Sequence, residues 1–109
     1  MARYARILRL QKGRAAEYER YHTQVWPDVL EACRQAGLKN YSIYRYGEWL
    51  FSYYELPECA DLPAIQRLLT DHPACQRWEA IMHQLQERLP ESAGENWWVP
   101  MREVFHFTG

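Results

Sequence analysis

The stretch YSIYRYGEWLFSYYEL, residues 41–56, decides the fold that we predict for this chain. Its two halves are rich in aromatic residues, which favour β-strands, and we predict strands over 40–46 and 49–56. Gly47 and Glu48 separate them, and a two-residue loop with glycine first is typical of a type II′ turn. The segment therefore predicts an antiparallel hairpin near the middle of the chain.

The residues before this hairpin predict one strand and one interrupted helix. Residues 3–10 alternate along the chain, which indicates a strand. Residues 14–36 carry one broad apolar face at helical spacing. Pro27 lies within this helix, and because proline removes an N–H and clashes with the preceding turn, we expect a kink or a restart near Trp26.

The residues after the hairpin predict a second helical region and a last strand. We expect a short helix over 61–70 and a longer one that begins at His72-Pro73 and follows helical spacing as far as Leu89. Residues 90–97 form a loop, and a strand runs roughly from Val99 to Phe107. The order β-α-β-β-α-β predicts an α+β, ferredoxin-like antiparallel sheet with the helices on one face, in a single domain over 1–109.

Composition limits the partners and the compartment. The net charge of −1 gives no reason to expect nucleic acid or an anionic membrane, and no apolar run reaches the length of a transmembrane helix. The three cysteines form no CxxC motif, which favours a reduced, cytoplasmic protein. A chain of 109 residues with several large aromatic residues on the outer sheet face would expose much apolar surface, so we predict a homodimer.

The most informative chemistry lies at Tyr18, His22 and Trp26, which are spaced four residues apart. Side chains at this spacing share one helical stripe. A phenol, an imidazole and an indole in a row resemble the wall of a small-molecule pocket, and the imidazole can exchange a proton near neutral pH. The alternative is a histidine and two aromatic residues that only pack in the core.

Other kinds of chemistry lack a motif here. The chain has no HxxxH or HExxH metal motif, no GxSxG nucleophile motif and no glycine-rich phosphate loop. We therefore predict no metal and no cofactor, and acid–base work centred on His22. Tyr41 and Trp78 are candidate pocket residues that could equally be core aromatics, and Glu79 at the edge of the same helical stripe could simply be solvated.

These residues resemble the L-rhamnose mutarotase family along nearly the whole chain. The resemblance is carried by the following blocks: Glu17-Tyr18, His22, Val25 to Leu30, Gly37, Asn40 to Tyr44, Cys75 to Trp78 and Arg102 to Phe105. It implies a small ferredoxin-like homodimer that interconverts the α and β anomers of a 6-deoxy sugar without metal or cofactor. It also implies that His22 is the proton donor, that Tyr18 and Tyr41 contact sugar, and that Trp78 lines the pocket.

The chain departs from the rhamnose-type pattern at Glu79, where a second tryptophan is expected. The segment from Trp78 to Met82 looks more like relatives assigned to L-fucose, whereas Tyr41 favours L-rhamnose. We expect Glu79 to contact sugar hydroxyls and Trp26 to pack against the sugar. The rival interpretations are a cofactor-free or haem-handling monooxygenase of the same fold, a sugar-binding module without catalysis, and a structural dimerisation domain.

Overall fold

A five-stranded antiparallel sheet and four helices form the structure, a computed structural model that describes residues 1–109. The elements are β1 (Ala2–Leu10), α1 (Ala15–His22), α2 (Pro27–Gln35), β2 (Lys39–Tyr46), β3 (Trp49–Leu56), α3 (Leu62–Asp71), α4 (Pro73–Leu85), β4 (Gln86–Glu87) and β5 (Val99–Met101). The strands lie in the order β2-β3-β1-β4, and β5 also pairs with β1. This α+β arrangement confirms the predicted ferredoxin-like fold. None of the helices is long and apolar enough to cross a lipid bilayer.

The core lies between the sheet and the helices. Leu8 and Leu10 of β1 and Leu50 of β3 are fully buried. The core contains these residues together with Tyr18, Val29, Ala74, Trp78, Met82, Leu85 and Trp98. Because side chains alternate along a strand, Arg6 of β1 points to the same face as Leu8 and Leu10. The sheet therefore places the Arg6 guanidinium on its helix-facing side among apolar neighbours.

The predicted break in the first helical region is confirmed. Helix α1 ends at His22, and α2 begins at Pro27. Trp26 precedes α2 with an extended backbone, and its carbonyl accepts hydrogen bonds from the N–H groups of Val29 and Leu30. Proline suits the first position of a helix because its fixed φ is helical and its missing N–H would have no partner there. The break leaves His22 at the C-terminal end of α1.

The central hairpin also has the predicted form. Gly47 has a φ of +60°, and Glu48, the next residue, does not have a positive φ, which is the pattern of a type II′ turn. Strand β3 pairs with β2 on one side and with β1 on the other. The hairpin thus forms one side of the sheet, and β1 pairs with its second strand.

Two predictions for the last third of the chain are wrong in their bounds. The long helix ends at Leu85, and Leu89 lies beyond it, because Gln86 and Glu87 pair with Leu10 and Arg9 of β1. The last strand covers only Val99–Met101 instead of continuing to Phe107. Met101 lies opposite Ala5, so the same register would carry the chain past the beginning of β1 within a few residues. Beyond that point an extended segment has no strand to pair with, and residues 102–109 are exposed.

Candidate active site

A large cavity opens between the helix-facing side of the sheet and the helices. Its volume is about 1390 Å³, which exceeds the usual size of a small-molecule site and reflects a cleft that continues along α3. Five of the six side chains predicted to act in the site line it: Tyr18, His22, Tyr41, Trp78 and Glu79. These residues come from three different elements, so the fold brings together groups that are far apart in sequence.

His22 has one ring nitrogen engaged and one free. Its Nδ1 lies 2.8 Å from the carbonyl oxygen of Tyr18. A carbonyl oxygen only accepts, so Nδ1 donates and the neutral imidazole carries its proton there. Nε2 has no hydrogen-bond partner in the protein, and it is not among the fully buried polar atoms. Desolvation lowers the pKa of His22, and the bond to the Tyr18 carbonyl opposes this effect in part.

The Tyr18 ring forms the wall behind the imidazole. Tyr18 is 4% exposed, and its ring centroid lies 4.3 Å from that of His22. Burial raises the pKa of the Tyr18 phenol, so the hydroxyl stays protonated and can donate a hydrogen bond to a ligand. The spacing of four residues on α1 produces this contact directly.

A β-bulge in β2 orients Tyr41 toward the cavity. Lys39 pairs with Glu55 and Ser42 with Tyr53, so one extra residue lies in β2 between these pairs. Asn40 has a φ of +51° at this point, and its side-chain amide donates to the Glu55 carboxylate over 2.6 Å. Asparagine tolerates this left-handed backbone better than most residues.

The Tyr41 side chain then meets two groups on the neighbouring strands. Its ring lies edge-on to Tyr54, with centroids 5.7 Å apart, and the Arg6 guanidinium is 3.5 Å from its hydroxyl. Desolvation raises the pKa of the Tyr41 phenol, and the residue lines the cavity while 41% of it is exposed.

Trp78 of α4 is the centre of an aromatic cluster. Its ring makes edge-to-face contacts with His22, Tyr21 and Trp26 at centroid distances of 5.4, 6.0 and 5.1 Å. Trp78 lines the cavity, whereas Trp26 does not. Trp26 lies outside α1, because the helix ends four residues earlier, and it packs behind Trp78. The predicted contact between Trp26 and a ligand therefore has no direct support from its position.

Glu79 follows Trp78 on α4 and reaches the same cavity. One carboxylate oxygen lies 3.1 Å from Nε2 of His83, one helical turn further on. Desolvation raises the pKa of Glu79, while His83 and Arg6 act in the opposite direction. A carboxyl group held in this way can exchange a proton closer to neutral pH than a solvated glutamate can.

Arg6 is the cation at the centre of the sheet face. Its Nε donates to the Ser52 hydroxyl over 3.3 Å, and its guanidinium carbon lies 4.9 Å from the Tyr54 ring centroid and 5.2 Å from that of Trp98. The two aromatic rings and the Ser52 hydroxyl hold the guanidinium at the cavity wall. From there it can donate hydrogen bonds to a polar ligand.

Of the remaining histidines, His83 also lines the cavity, whereas His72 and His106 do not. His72 caps α4, where its Nδ1 accepts from the Ala74 N–H at 3.2 Å. No group of three histidine, cysteine, aspartate or glutamate side chains is arranged to hold a metal ion.

Comparison with known proteins places the chain in a family. A sequence model of L-rhamnose mutarotase matches residues 3–107. The chain belongs to the L-rhamnose mutarotase family. This result confirms the resemblance seen in the sequence. The names within the family describe a carbohydrate isomerase, in agreement with the predicted class of enzyme.

The relatives of this mutarotase-family chain carry two substrate names. An L-rhamnose mutarotase of Jannaschia sp. is 36% identical over 97% of this chain and 98% of its own length. An L-fucose mutarotase of Xanthomonas campestris is 37% identical over 89% of this chain and 82% of its own length. The crystal structure of an L-rhamnose mutarotase from Formosa agariphila has the same fold, with a TM-score of 0.77, 23% identity and coverage of 98% of this chain and 99% of that one.

Further side chains line the cavity and were not predicted from the sequence as site residues, among them Arg6, Tyr54, His83 and Trp98. A signal for Arg6 exists, because it shares the inward alternation of β1 with Leu8 and Leu10. His83 follows Glu79 by one helical turn, which is also visible in the sequence. Nothing in the sequence brings Trp98 to β1, because that contact depends on the long loop before β5.

Proposed function

We propose that this protein is a mutarotase that interconverts the α and β anomers of L-rhamnose by acid–base ring opening, without metal or cofactor. The observation that carries the proposal is His22, whose Nε2 is free of protein partners in a cavity shared with Tyr18 and Tyr41. The family match over residues 3–107 supports the reaction. A monosaccharide needs much less room than the cavity offers.

His22 supplies the proton in this proposal. Nδ1 keeps its proton because it donates to the Tyr18 carbonyl, so the exchangeable proton is the one at Nε2. In the imidazolium form of His22, Nε2 donates its proton to the ring oxygen when the ring opens, which leaves the neutral ring with its proton on Nδ1. Nε2 takes a proton back when the ring closes, since closure is the reverse reaction. Rotation about the C1–C2 bond between these steps changes the anomer. Mutarotation already proceeds in water, so one positioned acid–base group accelerates it, while the proton of the anomeric hydroxyl needs a separate acceptor.

The other cavity residues would bind the sugar. Tyr18 and Tyr41 present hydroxyl groups that can pair with sugar hydroxyls, and Glu79 adds a carboxylate. Trp78 offers an indole surface for the apolar face of the sugar and its methyl group. In this proposal Trp26 supports Trp78 through the contact between the two indoles.

The substrate is tested by the exchange of anomeric protons at equilibrium. We expect catalytic amounts of the protein to accelerate α/β exchange in proton NMR most for L-rhamnose, less for L-fucose and not at all for D-glucose. Faster exchange for L-fucose would identify L-fucose as the preferred substrate instead, in agreement with the 37% identical L-fucose mutarotase. No acceleration for any of the three sugars would contradict the proposal and direct attention to haem and oxygenase assays.

We further propose that the protein is a homodimer that acts in the cytoplasm. Tyr44 and Tyr46 on the outer face of the hairpin are 65% and 80% exposed. Phe105 and Phe107 in the last segment are 80% and 77% exposed. A second copy that covers these side chains would remove a large apolar surface from water. The free state of all three cysteines suits a reducing compartment.

Sedimentation velocity tests the dimer. We expect a species of twice the 13.1 kDa chain mass at micromolar concentration. Replacement of Tyr44 and Tyr46 by lysine should shift the distribution toward monomer, because each chain would then bring two like charges to the interface. Lys12, exposed in the turn after β1, offers a control as Lys12→Glu, which should leave the mass unchanged. A wild-type chain that sediments as a monomer at every concentration would contradict the proposal.

A further inference from the structure

The Glu79–His83 pair takes part in no proton transfer in the reaction described so far. His83 Nε2 is fully buried and has no hydrogen-bond partner in the protein, while the Glu79 carboxylate lies 3.1 Å from it, at ion-pair distance. The His83 side chain is 21% exposed and that of Glu79 is 47% exposed. The imidazole is thus covered, while the carboxylate remains accessible from the cavity.

The His83 ring is held from its other side. It stacks on the Trp97 indole with centroids 3.8 Å apart and planes 4° from parallel. An imidazole clamped in this way has a fixed plane, and its Nε2 keeps one direction. The loop that carries Trp97 therefore holds the His83 ring in place, with Nε2 beside the Glu79 carboxylate.

Ring opening needs a second proton transfer that His22 cannot perform at the same time. When Nε2 of His22 protonates the ring oxygen, another group must take the proton of the anomeric hydroxyl. Both tyrosine hydroxyls in the cavity stay protonated, because desolvation raises their pKa values, so neither is a ready base. Glu79 lines the same cavity as His22 and both tyrosines. Glu19 also lines the cavity, but its carboxylate is engaged by Arg45 at 2.9 Å.

We propose that Glu79 is the catalytic base that accepts the proton of the anomeric hydroxyl, and that His83 is the positioning residue that orients its carboxylate. The inference rests on the proposed mutarotase function. As the bond between C1 and the ring oxygen breaks, the anomeric oxygen forms the carbonyl and its proton passes to Glu79. The ring oxygen keeps the bonding pair and receives the proton of His22. Closure reverses both transfers, so the cycle consumes nothing.

The charges around Glu79 decide how its proton affinity responds to each change. Groups that face it from the packed elements are Arg6 on β1, Tyr18 on α1, Tyr41 on β2, and Cys75 and His83 on α4. His83 and Arg6 lower the pKa of Glu79, against the larger effect of desolvation. Loss of His83 should therefore raise the pKa of Glu79, in addition to freeing its carboxylate.

The test is the pH profile of anomeric exchange for wild type and variants. We expect a bell-shaped profile for wild type, because one proton must be shared between His22 and Glu79. Glu79→Gln should lose about 10²-fold or more in rate and one limb of the bell. His83→Ala should lower the rate and move the acid limb of the profile to higher pH, because the pKa of Glu79 rises. His83→Gln, which keeps a donor near the Nε2 position, should recover most of the rate.

The matched control is Glu87→Gln, since Glu87 lies on β4 with a side chain that is 56% exposed and faces Arg9. Unfolding midpoints for each variant separate loss of fold from loss of chemistry, and Glu79→Asp provides a second variant that keeps the carboxylate. Wild-type rate and profile in Glu79→Gln would overturn the inference while leaving the mutarotase proposal intact. Absence of exchange activity in the wild type would overturn the mutarotase proposal itself.

Discussion

Replacement of His22 by alanine is expected to slow enzyme-catalysed anomer exchange by about 10²–10⁴-fold, the usual contribution of a positioned acid–base group. Nε2 is the ring atom left free by the hydrogen bond between Nδ1 and the Tyr18 carbonyl. Alanine removes that atom, while Tyr18, Tyr41 and Trp78 still line the cavity. The measurement is equilibrium proton NMR exchange with the preferred sugar, at several sugar concentrations.

A second variant and a control make this result specific. His22→Gln keeps a hydrogen-bonding group at the position but cannot carry a proton between atoms, so it should be nearly as slow as His22→Ala. His106→Ala is the control, because His106 lies in the exposed segment after β5 and should leave the rate unchanged. If His22→Ala exchanged anomers at the wild-type rate with an intact fold, His22 would not be the acid–base group.

Replacement of Trp78 by alanine is expected to have the largest effect on stability, a loss of about 3–5 kcal/mol in the free energy of unfolding. Trp78 is 8% exposed and belongs to the core cluster. Its indole makes edge-to-face contacts with Tyr21, His22 and Trp26, so truncation leaves three aromatic rings around a void. Since small domains are stable by only about 5–15 kcal/mol, the variant should be near the limit of folding.

Urea denaturation followed by circular dichroism measures this loss. Trp78→Phe is the matched variant, because it keeps an aromatic ring in the cluster and should lose much less than Trp78→Ala. Both variants should also weaken sugar binding if the indole contacts the sugar. A loss for Trp78→Ala below about 1 kcal/mol, the size of an ordinary substitution, would show that the cluster does not organise the core.

Local patterns predict most of the elements correctly because they depend on neighbours in the sequence. The hairpin over β2 and β3 follows from aromatic strands around Gly47, and the break before α2 follows from Pro27. The errors occur where pairing over a long distance competes with local preference. Helix α4 ends at Leu85 because the next two residues pair with β1. The hydrophobic periodicity of the helix does not indicate this pairing.

The candidate site shows the same division. Tyr18 and His22 could be found from their spacing, because residues four apart on a helix are neighbours. Trp26 shares that spacing, yet it lies outside the helix and behind Trp78, since Pro27 stops the stripe from continuing. Tyr41 reaches the cavity only through the bulge at Asn40, which depends on the pairing of β2 with β3.

The sequence by itself determined the order of the main elements, the interruption of the first helical region before Pro27 and the family of the chain. These follow from hydrophobic periodicity, from proline and glycine chemistry, and from motifs that lie close together in the chain. Only the tertiary structure decided which groups surround His22. Arg6, Glu79 and the clamp of His83 on Trp97 come from strands, a helix and a loop that meet through packing, and packing depends on the register of the sheet and the shapes of distant side chains.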